Sequence, residues 1–348
     1  MHRRRFLATA ALAAAPNILT ASKTAEPVII VGHGTHRYRV EKNWSKADHS
    51  AFPLENCHEM IQTTDGRLFL VTDHPKNNIL IYKIDGTLLD HWTLGSKNAH
   101  GLTLNREGDS DFLYITMTNG RVVKTTLDGK VLLDLESPHK THAYSSGSPY
   151  APTETAIGPN GDIYVIDGYG SQFILRHDRE GKFLGKFGGK SSVADNPGKF
   201  LQAHGIALDT RGPEPLLVCT ARIRNEFSWF TLTGEHKRTE YYPGAYLSRP
   251  VIRGEHLYSA VCFGFREDDY RMWMGRGFIV ILDKENKVIS CPGGEAPRYE
   301  NSKLMPLMKQ GDLVNNGHDV CVDSDENLYL CQWNSGHVPP YKLHRLPD

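Results

Sequence analysis

The residues of this chain best suited to chemistry are histidines that open short apolar runs. "AHGLTL" (Ala99–Leu104), "AHGIALD" (Ala203–Asp209) and "GHDVCVD" (Gly317–Asp323) each set a histidine one or two residues before an alternating apolar stretch. Neutral imidazole is a good zinc ligand, and three of them leave a fourth tetrahedral position open for water or substrate. His100, His204 and His318 are therefore candidate ligands, provided that the fold brings three distant segments to one point. Taken singly, each could equally cap a turn by hydrogen bonding. The elements that carry them decide between these roles.

Those elements repeat. "HEMIQTTDGRLFLVTDHPKNNILIYKIDGTLLDHW" (His58–Trp92), "HGLTLNREGDSDFLYITMTNGRVVKTTLDGKVLLDL" (His100–Leu135) and "TETAIGPNGDIYVIDGYGSQFILRHDREGKFLGKF" (Thr153–Phe187) share one order of short strands and Gly/Asp turns. A fourth unit starts at His204, a weaker fifth near Arg249 and a sixth at His318. The clear starts lie about 42 to 54 residues apart, the range of four-stranded propeller blades. No segment between the strands has helical periodicity, and turn residues recur about every 8 to 12 positions, so an α/β reading fails. The expectation is all-β: a single six-bladed β-propeller of four-stranded antiparallel blades over residues 22–348. The β-rich "PVIIVGHGTHRYRV" before His58 belongs to no unit and is expected to complete the last blade and close the ring. In a six-fold array each blade turns about 60° from the last. Histidines of units two, four and six then stand roughly 120° apart around the axis. His58 holds the same position in unit one, as a fourth ligand, a partner to a ligand or a turn cap.

Lys plus Arg equal Asp plus Glu at 40 each, which excludes a polyanion such as nucleic acid as the expected partner. The start, "MHRRRFLATAALAAAPNILTA", has a basic opening, a short apolar stretch and an A-x-A-like site at residues 19–21. Its apolar part falls short of the roughly 20 residues of a membrane span. "RRRFL", with Arg3, Arg4, Phe6 and Leu7, resembles the twin-arginine signal of bacterial export. Residues 1–21 are thus expected to be a signal, and the protein periplasmic or extracellular, without membrane insertion once it is removed. Six dispersed cysteines make no disulfide scaffold; Cys321 and Cys331, in strand-like runs of one repeat, are the candidate pair. Three long linkers, residues 41–56, 137–152 and 291–316, are expected to rim one face and carry function.

"NPGKFLQAHGIALD" and "GDIYVIDGYGSQFILRHDREGKFLGKFGG" resemble the NHL repeat. Within NHL propellers the chain is similar to the catalytic core of the peptidylglycine alpha-amidating lyases, over roughly Cys57–Gln332. That resemblance implies an axial zinc on His100, His204 and His318. It also implies a structural calcium on the Asp319 carboxylate and the backbone oxygens of Leu102 and Met60, and an active-site tyrosine at Tyr169 in "DGYG". The implied reaction cleaves a peptidyl-alpha-hydroxyglycine to an amide and glyoxylate, with Tyr169 as general base and Arg222 or Arg224 on the substrate carboxylate. The family's first-blade arginine has no counterpart in "VTDHPKNN" around Asp73 and His74. "CTARIRNEF" offers Arg222, Arg224 and Asn225 in a changed order, and Gly170 replaces a cysteine. These departures bear on the lyase step more than on the metal. Two other classes remain open: a gluconolactonase-like hydrolase with a divalent cation held mainly by Glu, Asn and Asp, and a non-catalytic propeller that docks a protein partner through its long loops.

Overall fold

The computed structural model describes residues 27–193 and 196–347, so the expected signal at 1–21 lies outside the described residues. Alternating strands and glycine-containing turns fold into six antiparallel sheets around an axis, and the single 3-10 turn, Arg222–Arg224, is the only helical element among the described residues. The inner strands are Cys57–Gln62, Ala99–Glu107, Glu154–Ile157, Ala203–Asp209, a broken strand from Tyr246–Leu247 to Val251–Arg253, and Gly317–Val322. We number the blades 1 to 6 in that order. Blade 5 is broken at Pro250, which has no N–H for the ladder, and this explains why its repeat is weak in sequence.

Ring closure follows the expectation. The N-terminal strand His36–Glu41 pairs antiparallel with Tyr341–Arg345 of blade 6, register Tyr38 to Arg345, and Ile30–His33 adds a further outer strand. The last blade thus joins both ends of the chain, and no inner edge is left unpaired.

Blades that alternate apolar residues on both faces bury them against two neighbours. Six separate apolar clusters result, one at each blade junction. The junction of blades 6 and 1, for instance, packs Tyr329 and Cys331 against Met60, Leu70 and Tyr82. Each fully buried aliphatic side chain contributes roughly 1.5–3 kcal/mol, so the junctions hold the inner strands in fixed register around the axis.

All six cysteines are unpaired and buried. The expected Cys321–Cys331 bridge is corrected by the register: Cys321 lies opposite Tyr329 and Cys331 opposite Asp319. The two cysteines are diagonal neighbours, and diagonal pairs stand about 7–8 Å apart, beyond the usual disulfide span.

Candidate metal centre

Each inner strand of blades 1, 2, 4 and 6 breaks register at its histidine. The shifts fall between Cys57 and Glu59, Ala99 and Leu102, Ala203 and Ile206, and Gly317 and Asp319. A bulge re-aims one side chain out of the sheet's alternation, here toward the axis. Blade 3 keeps regular pairing from Glu154 to Ile157 and offers Thr153 at this level instead. The glycine after the histidine in blades 2 and 4 is required by space: a Cβ on Gly101 would lie 2.4 Å from the Thr153 carbonyl oxygen, and one on Gly205 2.5 Å from the Cα of Arg249.

The four histidines form one buried cluster. Ring centroids of His58 and His100, and of His58 and His318, are 4.7 Å apart; His204 lies 5.0 Å from His100 and 4.9 Å from His318. One ligand nitrogen from each of His58, His100 and His318 falls within 4.8 Å of the others. The rings of the three expected ligands meet, but the ligand nitrogens that converge are those of His58, His100 and His318; His204 joins the cluster by ring contact and stands outside that convergent set.

Hydrogen bonds settle which nitrogen faces inward. His100 Nδ1 donates to the Thr153 carbonyl at 2.9 Å, and His318 Nδ1 donates to the His58 carbonyl at 2.9 Å, which leaves both Nε2 atoms with lone pairs. His58 Nε2 donates to Asp73 Oδ2 at 3.1 Å. Burial raises the Asp73 carboxyl, but the His58 hydrogen bond and charge and two Asn56 bonds bring it down to about 2, so it is charged at neutral pH. The remaining His58 nitrogen, Nδ1, stands 3.4 Å from His318 Nε2. A proton on His58 Nδ1, donated to His318 Nε2, satisfies that contact, and so would a cation between the two nitrogens. Two imidazole nitrogens on a tetrahedral zinc at about 2.0–2.1 Å would be separated by roughly 3.3–3.4 Å.

His204 is fully buried, and neither of its ring nitrogens has a hydrogen-bond partner. Desolvation drives the pKa of His100, His204 and His318 well below the ordinary value, helped by His58 at His100 and His318 and by Arg222 at His204. These three rings are neutral at pH 7 and have ligand lone pairs.

Tyr169 stands over the cluster. Its hydroxyl lies 3.3 Å from His100 Nε2, and its ring packs at 5.6 Å against His204. The "DGYG" turn holds it there: Asp167 accepts from Ala151 N, Ser171 N and the Tyr144 hydroxyl, while Tyr169 N donates to the Ala151 carbonyl. Gly168 lies so close to the blade 4 inner strand that a Cβ would overlap the Ala203 carbonyl oxygen. The Tyr169 residue as a whole is 41% exposed; desolvation of its hydroxyl against the cluster raises the pKa, and the adjacent Arg222 draws it back.

The two arginines part company because the 3-10 turn separates their directions. Arg222 points inward and donates to the Leu247 carbonyl and to Ser248 Oγ. Arg224 donates to the carbonyls of Asn196 and Lys199 and lies away from the cluster. A cavity of about 330 Å³ opens above the histidines, lined among others by Asp73, Lys97, Tyr169, Arg222, Phe263 and Trp333. Asp73 was not singled out from sequence as a partner of His58; its position after the second strand, where the resemblance expects an arginine, was the available signal.

One or two residues further along the inner strands, the expected calcium ligands converge as well, but on a side chain. Arg249 donates to Asp319 Oδ1 and Oδ2 at 3.0 and 2.8 Å, to the Leu102 carbonyl at 3.0 Å and to the Met60 carbonyl at 3.1 Å. The calcium expectation at Asp319, Leu102 and Met60 is corrected on this ground: all three oxygen donors are already satisfied by a guanidinium. Glu59 and Glu154 flank it at 3.6 and 4.0 Å. Burial first, then the charge of Glu154, raises the Glu59 carboxyl well above its ordinary value, while Arg249 draws it back.

No protein-family model matches the chain, and no curated protein matches it significantly. Solved structures are similar in fold. A streptogramin B lyase superposes with a TM-score of 0.54 at 13% identity, covering 88% of this chain and 97% of that one. A virginiamycin B lyase from Staphylococcus aureus gives 0.51 at 16% identity, over 82% and 80%. A gluconolactonase from Xanthomonas campestris gives 0.55 at 11% identity, over 92% and 98%. At such identities the likeness shows the fold alone: the chain is a six-bladed β-propeller with a buried histidine cluster, able to hold a metal ion, on its axis.

Proposed function

We propose that the axial cluster is a catalytic metal centre, with zinc as the metal its all-imidazole donors suit, and that the protein is a metal-dependent lyase or hydrolase. The observation that carries this reading is the convergence of ligand nitrogens from His58, His100 and His318, with His58 Nδ1 and His318 Nε2 3.4 Å apart, beside the unpartnered nitrogens of His204. His100 and His318 are held in the ligand tautomer by backbone carbonyls, and His58 by the charged Asp73, as outer partners of metal-bound imidazoles are. When bound, the metal would supply Lewis acidity, lowering the pKa of a substrate hydroxyl or water.

The reaction we favour is cleavage of a peptidyl-alpha-hydroxyglycine, on the resemblance to the amidating lyases of NHL type. The carbinol hydroxyl loses its proton, the carbon–nitrogen bond breaks, and the leaving amide nitrogen takes a proton up, giving amide and glyoxylate. Tyr169 is placed to receive the first proton and deliver the second, since its hydroxyl sits at the mouth of the cluster. Arg222 draws the pKa down but leaves it above the ordinary value, so its work as a base depends on the further positive charge of the loaded site. Arg222, and not Arg224, is the arginine available to a substrate carboxylate, with Lys97 on the same rim. A cavity of about 330 Å³ suits a small molecule or the terminal residue of a peptide. Export by the twin-arginine route would let the protein cross the membrane folded, with its metal already in place. The test has two parts: elemental analysis of purified mature protein, and glyoxylate release from a peptidyl-alpha-hydroxyglycine against a His100→Ala control. Zinc near one per chain with glyoxylate release is expected. Protein that refuses zinc rejects the centre, and zinc-loaded protein that leaves the substrate intact rejects the lyase reaction.

A further inference from the structure

Beneath the histidines, the next residue of each inner strand forms a second axial layer: Glu59, Gly101, Glu154, Gly205, Arg249 and Asp319. Three carboxylates, two residues without side chains and one cation face each other in a space that water barely reaches; Glu59, Glu154 and Asp319 are fully buried and Arg249 nearly so. Such a layer calls for a positive charge at its centre, because an unpaired buried carboxylate is strongly disfavoured. A carboxylate and two carbonyls from blades 6, 1 and 2 converge there as hard oxygen donors do around a cation.

We propose that Arg249 is a built-in replacement for an axial divalent cation, a covalently tethered charge that latches blade 5 to blades 1, 2 and 6. The planar guanidinium spends four hydrogen bonds on this layer, two on Asp319 and one each on Leu102 and Met60. Its fork suits that spread of acceptors, where a lysine would present a single head. The small residues are part of the device. Gly205 allows the Arg249 backbone within 2.5 Å of where a Cβ would sit, and Pro250 ends the strand pairing so that this backbone can turn inward. The latch also plugs the axis. The cavity above the histidines and a second cavity of about 310 Å³ at the opposite mouth, lined by Met60, Thr103, Thr155, Ile206, Arg249 and Val322 among others, share no lining residue. Substrate and metal then reach the histidines from one face only.

The proposal is tested on mature protein stripped of metal by a chelator, freed of the chelator, and titrated with calcium alone, which imidazoles bind poorly. Wild type is expected to melt at the same temperature with and without calcium. Arg249→Ala opens a vacant, carboxylate-lined site: it should melt lower than wild type without calcium and recover by roughly 5 °C once calcium reaches about a hundred times its dissociation constant. Arg249→Lys keeps the charge but loses the fork, so it should melt lower than wild type and stay indifferent to calcium. If Arg249→Ala folds only when refolded with calcium, the same conclusion holds. A calcium-dependent rise in wild type overturns the proposal. So does a folded Arg249→Ala that ignores calcium, an Arg249→Lys that melts like wild type, or an Arg249→Ala that calcium fails to refold.

Discussion

His204→Ala separates a ligand from a merely buried histidine, because the two roles predict opposite behaviour in the metal-free protein. Without metal, His204 hides two ring nitrogens that bond to nothing. Each buried unsatisfied polar group costs about 1–3 kcal/mol, so truncation relieves a penalty that offsets the packing lost with the ring. His318 differs: its Nδ1 satisfies the His58 carbonyl at 2.9 Å, and His318→Ala both opens a cavity and orphans that oxygen. In a protein of this size 1 kcal/mol moves the melting temperature by about 2 °C. Metal-free His204→Ala should therefore melt within about 2 °C of wild type, while metal-free His318→Ala falls by roughly 4–8 °C. Zinc reverses the comparison. At a hundred times the wild-type dissociation constant, zinc stabilises wild type by about 2.7 kcal/mol, or roughly 5 °C. If His204→Ala weakens zinc at least tenfold, the same zinc yields about 1.4 kcal/mol, or roughly 3 °C at most. Scanning calorimetry of both variants with and without zinc reads all four values. An undiminished zinc response in His204→Ala, with a metal-free loss as large as that of His318→Ala, would refute His204 as a ligand.

Asp73→Asn removes the charge that holds the His58 tautomer and should weaken zinc by about 10- to 100-fold while leaving the fold intact, as competition with a chromogenic chelator would show; unchanged affinity would remove Asp73 from the centre. Tyr169→Phe should lower glyoxylate release by roughly 10² to 10⁴ with zinc content unaltered, and undiminished turnover would free Tyr169 from the mechanism. Tyr38, fully buried in the closing strand, tests the ring: Tyr38→Ala should cost about 3 kcal/mol or more, and a melting temperature within 2 °C of wild type would show that closure contributes little.

What was legible in the sequence is what repeats. Gly/Asp turns and two-residue alternation marked the six blades, and the stranded "THRYRV" pointed to closure because its apolar alternation had no partner in its own unit. The axial histidines were legible for the same reason: a position that recurs in every blade must recur around the axis. Interactions that cross between elements were not. Asp73 meets His58 only because the first two strands of blade 1 pair, Cys57 opposite Thr72. Arg222 and Arg224 look equivalent on paper, yet the 3-10 turn sends one inward and the other to the Asn196–Lys199 loop. Arg249 sits in the unit whose pattern Pro250 erases, and there a basic residue reads as one more surface charge.

The two axial positions without histidine explain why the cluster is asymmetric and open on one side. At that level blade 3 has Thr153 and blade 5 has Ser248, and both act on their neighbours. Thr153 lends its carbonyl to His100 Nδ1, and Ser248 Oγ receives Arg222 Nη2 at 3.0 Å and donates to the Gly317 carbonyl at 3.1 Å, next to His318. Blade 3 also carries Tyr169 on the turn after its second strand, and Arg222 follows the second strand of blade 4, so the groups proposed to handle the proton and bind the anion enter from that same sector. His58, anchored by Asp73 on the rim of the same cavity, stands on another side of the cluster. A six-fold scaffold thus becomes a directional site: histidines on blades 1, 2 and 6 converge as a triad able to hold a metal ion, with His204 of blade 4 packed beside them. Two small polar residues set their orientation, and the proposed reacting groups approach over blades 3 and 4.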